Sequence, residues 1–129
     1  MISYGYVKEV ETPMADVLGL LPALLEKEGF GVVNTIDIGR KLREKLGVDF
    51  RKYVIVGACN PANAYKALSA EENIGLMLPC NMAVYEKAGK TVVASIRPSA
   101  MMAAIGNDAL TSVAAEVEAA LKRVLDKVE

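Results

Sequence analysis

The chain holds two thiols, Cys59 and Cys80, and each is followed by an asparagine, Asn60 and Asn81. Cys59 stands just before Asn60-Pro61, a cap-plus-proline helix start, so its sulfur is expected near the positive end of a helix dipole. Such a setting lowers a thiol pKa from its usual value of about 8.5 when the sulfur points at the free N–H groups. Asn60 has a structural use as the helix cap, and Cys59 and Cys80 both suit small buried packing positions. Asn81, an amide within "LMLPCNMAV", must find partners if it is buried. A tight hairpin turn around Gly89 makes paired residue numbers sum to about 176 or 177. Cys80 then faces Ile96 or Arg97, and Asn81 faces Ser95 or Ile96, with "PSAMM" (98–102) closing over that end. An arginine beside a thiol favours the thiolate. The candidate ligand-binding residues are therefore Cys59, Asn60, Cys80, Asn81 and Arg97.

The chain has no histidine, which removes His-based triads, the commonest metal ligand and the usual general base at neutral pH. Two sulfurs fall short of the four ligands of structural zinc. A Cu(I) site would need methionines that helical and strand spacing explain as core. No metal site is expected, and these residues name no cofactor. The glycines of "GFG" (29–31) and "VGA" (56–58) match neither phosphate-loop pattern. Two functions fit these residues: a small-ligand-binding or accessory protein, or a thiol-dependent enzyme or redox protein using Cys59 or Cys80 as nucleophile.

The elements that must position these residues are legible in the patterning. A first strand is expected over 2–10, then a helix opened by Thr12 as cap and Pro13 at N1. Met14, Val17, Leu18, Leu21, Leu24 and Leu25 share one face of that helix. Pro22 should kink or split it, and Gly29 should stop it. Strand two, 30–36, leads to a basic helix, 38–46, capped by Asp37, with Ile38, Leu42 and Leu46 on one face and Gly47 after it. Strand three, 53–58, is a continuous apolar run and hence central. A helix over about 61–70 follows. Strands four and five, 75–86 and 91–97, form a hairpin around "KAGK" (87–90). Proline in strand four implies an edge or a bulge. The last helix, 108–127, buries Leu110, Val113, Val117, Leu121, Val124 and Val128.

The order β-α-β-(α)-β-(α)-β-β-α with a closing hairpin reads as an α+β fold: a five-stranded, mainly antiparallel sheet with its long helices on one face. Both faces of strand four are apolar, whereas a sheet with one solvated face should alternate. A homodimer is the preferred cover for the second face.

In bulk, 129 residues form one domain, 1–129. The apolar share is 53% with only 5% aromatics, a surplus that favours an oligomer or a lined pocket. A net charge of −1 argues against a nucleic-acid or anionic-membrane footprint. No apolar run reaches the length of a membrane span, and the N-terminus lacks signal-peptide regions. The cytosol is the expected compartment, where the thiols stay reduced.

With G-F-G-V (29–32), T-I-D (35–37), G-A-C-N-P (57–61) and L-P-C-N (78–81) in place, nearly the whole chain resembles the bacterial and archaeal domain of unknown function 302 family. That resemblance implies a TBP-like β-α-β(4)-α fold with two short inserted helices, usually dimeric. It implies no reaction, since fold likeness does not carry function.

Overall fold

A computed structural model describes residues 2–129, leaving only Met1 outside. Five strands, β1 (Gly5–Val10), β2 (Gly31–Asp37), β3 (Tyr53–Cys59), β4 (Cys80–Lys87) and β5 (Lys90–Ile96), form one sheet in the order β1-β5-β4-β3-β2. Every neighbouring pair is antiparallel. The helices are α1 (Met14–Lys27), α2 (Ile38–Leu46), α3 (Pro61–Ala70), α4 (Pro98–Ile105) and α5 (Thr111–Asp126), with 3-10 turns at Glu72–Met77 and Asp108–Leu110. The fold is α+β, as expected. Among the described residues no helix is long and apolar enough to cross a membrane.

The core is the contact between one sheet face and the apolar stripes of α1 and α5. Leu21, Leu25, Leu121 and Val124 meet Val56, Met82, Val84 and Val93, all at most 4% exposed. Fully burying side chains of this kind contributes roughly 1.5–3 kcal/mol each. That is why α1 runs unbroken through Pro22: several such side chains outweigh one lost helix hydrogen bond. Thr12 does not cap α1. The N-cap is Pro13, whose carbonyl accepts from Asp16 and Val17, while the Thr12 carbonyl accepts from the Thr91 hydroxyl. At the other end Gly29 (φ 84°) lets Phe30 N–H reach the Leu25 carbonyl and its own N–H reach Glu26, a Schellman closure.

The hairpin turns through Ala88 and Gly89, both at positive φ, so that Lys87 pairs Lys90 and the paired numbers sum to 177. Strand four is shorter than the pattern implied. Residues 72–77 coil into a 3-10 turn, and the Leu78-Pro79 bond is cis. The strand begins only at Cys80, because Pro79 has no N–H to give a ladder. The proline marks neither an edge nor a bulge, since β4 lies between β3 and β5. Gly57 in β3 makes room for this segment: a Cβ there would collide with the Asn34 side chain and stand 2.7 Å from Pro79 Cγ.

The last helix divides at Leu110, and "PSAMMAAI" forms α4, an element absent from the expected order, which had 98–102 only as a segment closing over the end of the hairpin. Its start is held by Glu118 of α5, which accepts from the Ser99 backbone N–H at 3.0 Å and from the Ser99 hydroxyl. In α2, Asp37 caps Arg40 N–H at 2.9 Å and Gly47 (φ 66°) ends the helix, but its apolar stripe is not core: Leu46 is 69% exposed.

Candidate functional site

Where β3 ends, β4 begins and β5 leaves the sheet, α3, α4, α5 and the 72–77 turn roof over a cavity of about 70 Å³. Its floor is Ala58, Cys59 and Cys80. Its walls include Asn60, Asn63 and Ala64 of the α3 start and Met77, Met101 and Met102 from the roof. Both cysteines and three of the six methionines thus border one hollow. Thioethers are flexible and polarizable, so such a wall adapts to the shape of an occupant.

The cavity persists because two apolar clusters meet there without merging. The main core ends around Ala58, Cys80 and Val117, and a second cluster of Ala67, Ile74 and Leu110 sits under α3 and α4. Were its 70 Å³ dry, the hollow would cost on the order of 1.7 kcal/mol at roughly 24 cal/mol per Å³.

The polar groups at its rim are amides. Asn60 caps α3, its Oδ1 accepting from Asn63 N–H at 3.1 Å. Asn63 is 6% exposed, and among the described residues its side-chain carboxamide makes no hydrogen bond, only its backbone N–H doing so. No fully sealed polar side-chain atom among those residues is without a partner, so the Asn63 amide keeps accessible surface, and the residue lines the cavity. A sealed amide without partners would cost about 1–3 kcal/mol. The occupant of the cavity, solvent or ligand, has to supply them.

Cys59 and Cys80 are both free and part-buried. Burial first, and then the nearby charge of Cys59, push the Cys80 thiol up to about 11. Cys80 is therefore a neutral thiol at physiological pH, opposite to the activated thiolate expected from a neighbouring arginine. The reason is the course of Arg97. Its side chain turns away from Cys80, donating through Nε to Glu118 at 3.3 Å and through Nη1 to the Ser3 carbonyl at 3.1 Å, and lies over the Tyr6 ring. Glu118 would be raised by burial, but the Ser99 hydroxyl and N–H, Arg97 and Tyr6 outweigh that and hold its carboxyl below the usual range.

Of the five residues named from the sequence, Cys59, Asn60 and Cys80 come together on the cavity. Arg97 and Asn81 do not. Asn81 pairs Gly57 and is exposed on the opposite sheet face, beside the stacked Tyr53 and Tyr85 rings, 5.0 Å apart. Cys80 and Asn81 both lie within β4, where consecutive residues point to opposite faces, so that dipeptide cannot deliver both side chains to one pocket; Cys59 and Asn60 escape this because the strand ends at Cys59 and Asn60 caps α3. Ser95, opposite Met82, is buried in the sheet at 2% exposure and makes only a 3.4 Å contact to the Ile96 carbonyl. The residue missed was Asn63. Its signal was the "NPAN" spacing, since amides at i and i+3 share one helix face.

The family model of the domain of unknown function DUF302 matches residues 6–128. The chain is also similar to a crystal structure of an uncharacterised conserved DUF302 protein from Bacillus stearothermophilus, with 32% sequence identity and a TM-score of 0.93. That similarity covers 99% of this chain and 100% of the other. No curated protein matches the chain.

Proposed function

Because the chain belongs to the DUF302 family, which by its own name has no assigned activity, we propose a function from the site: a cytosolic, homodimeric protein that binds a small ligand in the cavity between Cys59, Cys80 and Asn63. The observation that carries this reading is Asn63, a residue only 6% exposed whose carboxamide bonds no described residue, on the wall of a hollow that the surrounding side chains do not fill. A ligand that fills the hollow and bonds the amide adds contacts that solvent there cannot make, and so stabilises the folded chain on binding.

The test is a thermal-shift screen of small metabolites on the wild type and on Ala64→Leu, which fills the cavity from α3. The screen should find molecules that raise the wild-type Tm and leave the Ala64→Leu Tm unmoved, with the variant itself at least as stable. A screen without hits, or hits that survive the filling, would count against the reading.

A dithiol redox function is the second reading, favoured by the convergence of both sulfurs on one cavity. The neutral state of Cys80 opposes it, since a thiolate is the attacking species. The homodimer rests on the uncovered sheet face, where Tyr4 is 61% and Val7 48% exposed. The groove there is lined by uncharged residues, so a second copy can approach it without charge repulsion.

A further inference from the structure

We infer that the cavity selects an uncharged molecule carrying a hydrogen-bond donor and acceptor side by side, as a primary or secondary amide does, and that Asn63 reads that pair; this rests on the cavity being the ligand site. Two observations carry it. First, none of the residues that line the cavity bears a formal charge, and the one arginine close in sequence, Arg97, is committed to Glu118 and the Ser3 carbonyl. An ionised ligand would surrender its hydration without a counter-charge, at a cost of several kcal/mol. The Cys80 thiol gives no compensation, since burial already disfavours negative charge at that sulfur.

Second, the free polar surface is of amide type. The carboxamide of Asn63 offers one acceptor and two donors, all without a protein partner among the described residues. The Asn60 carbonyl oxygen is spent on the α3 cap, while its amide nitrogen lies against Gly29, where a Cβ would stand 3.0 Å from it. An amide ligand satisfies the donor and the acceptor of Asn63 at once, whereas a simple hydrocarbon satisfies neither. Sites built to hydrogen-bond a ligand discriminate strongly against analogues that leave their polar groups unpaired. The volume, about 70 Å³, limits the part of the ligand held inside to a few heavy atoms. The three methionines let the wall close around its apolar end.

The experiment is an NMR titration of protein labelled with carbon-13 at its methionine methyls, reading Met77, Met101 and Met102. Three probes are used: propionamide, its isosteric anion propionate at neutral pH, and xenon, which enters apolar cavities whatever their polar rim. Propionamide should shift these resonances saturably and propionate should not. Asn63→Leu, confirmed folded by its Tm, should weaken propionamide by about tenfold or more while leaving the xenon response. Propionate binding as well as propionamide, or unchanged propionamide affinity in Asn63→Leu, would overturn the inference and leave the cavity reading standing. The same holds if xenon shifts the methyls and propionamide does not. If xenon too leaves all three methyls unmoved, both the inference and the cavity reading fall.

Discussion

At the residue scale the decisive contrast is between a thiol that packs and a thiol that reacts. Cys80 is lifted from 9.0 to about 11, first by burial and then by Cys59. Its alkylation at mildly alkaline pH should therefore run about a hundredfold slower than that of a free thiol, measured by mass spectrometry of the modified peptide. The unfolded chain loses this proton near pH 9 and the folded chain near 11. The stabilisation is then complete below pH 9 and disappears as the pH climbs to 11, a loss of at most about 2.7 kcal/mol. Denaturant titrations of the wild type and Cys80→Ala should converge over that window. Parallel curves, or rapid labelling of Cys80 in the folded protein, would contradict the assignment. The sequence could place Cys80 on the core side by its parity with Met82. It could not say where Arg97 points, because a long side chain chooses its partner in three dimensions, and here the partner is Glu118, 21 positions along the chain.

At the scale of elements, the cavity depends on how α4 is held. Glu118 reaches from α5 to the first turn of α4, to Arg97 at the end of β5 and to Tyr6 of β1. Glu118→Gln should cost about 1.5–3 kcal/mol in denaturant unfolding, the range for hydrogen bonds to a charged group. The ion's stabilisation is present above the ordinary glutamate value of 4.5 and is lost as the pH falls through its lowered folded pKa. The variant should accordingly show a flatter acid limb than the wild type, and a wild-type acid limb that Glu118→Gln leaves unchanged would refute the role. Most elements were readable because their signals are local. Asp37 and Asn60 cap, Gly47 and Gly89 take positive φ, and α1 and α5 carry apolar stripes. What escaped was α4 and the 72–77 turn, segments of eight and six residues too short for a period to separate helix from strand. Their form is set by the roof they make over the end of the sheet.

For the whole molecule, the sheet has one face under α1 and α5 and one face open, with an apolar, uncharged groove across it. The two apolar faces of strand four led to the expectation of a covered second face; among the described residues that face is open, and the proposed cover is a second copy of the chain. Analytical ultracentrifugation at micromolar concentration should give twice 13.8 kDa, and Val7→Lys, a charge set into the groove, should return the single-chain mass with its fold intact. A wild-type species at the single-chain mass would dismiss the dimer without touching the cavity, which lies on the helix side of the sheet. The cavity itself is most directly tested by the electron density of crystals soaked in propionamide. A compact peak within hydrogen-bond reach of Asn63 and in contact with both the Cys59 and Cys80 sulfurs is the expected result. Side chains packed across that space, or density found only elsewhere, would contradict the account.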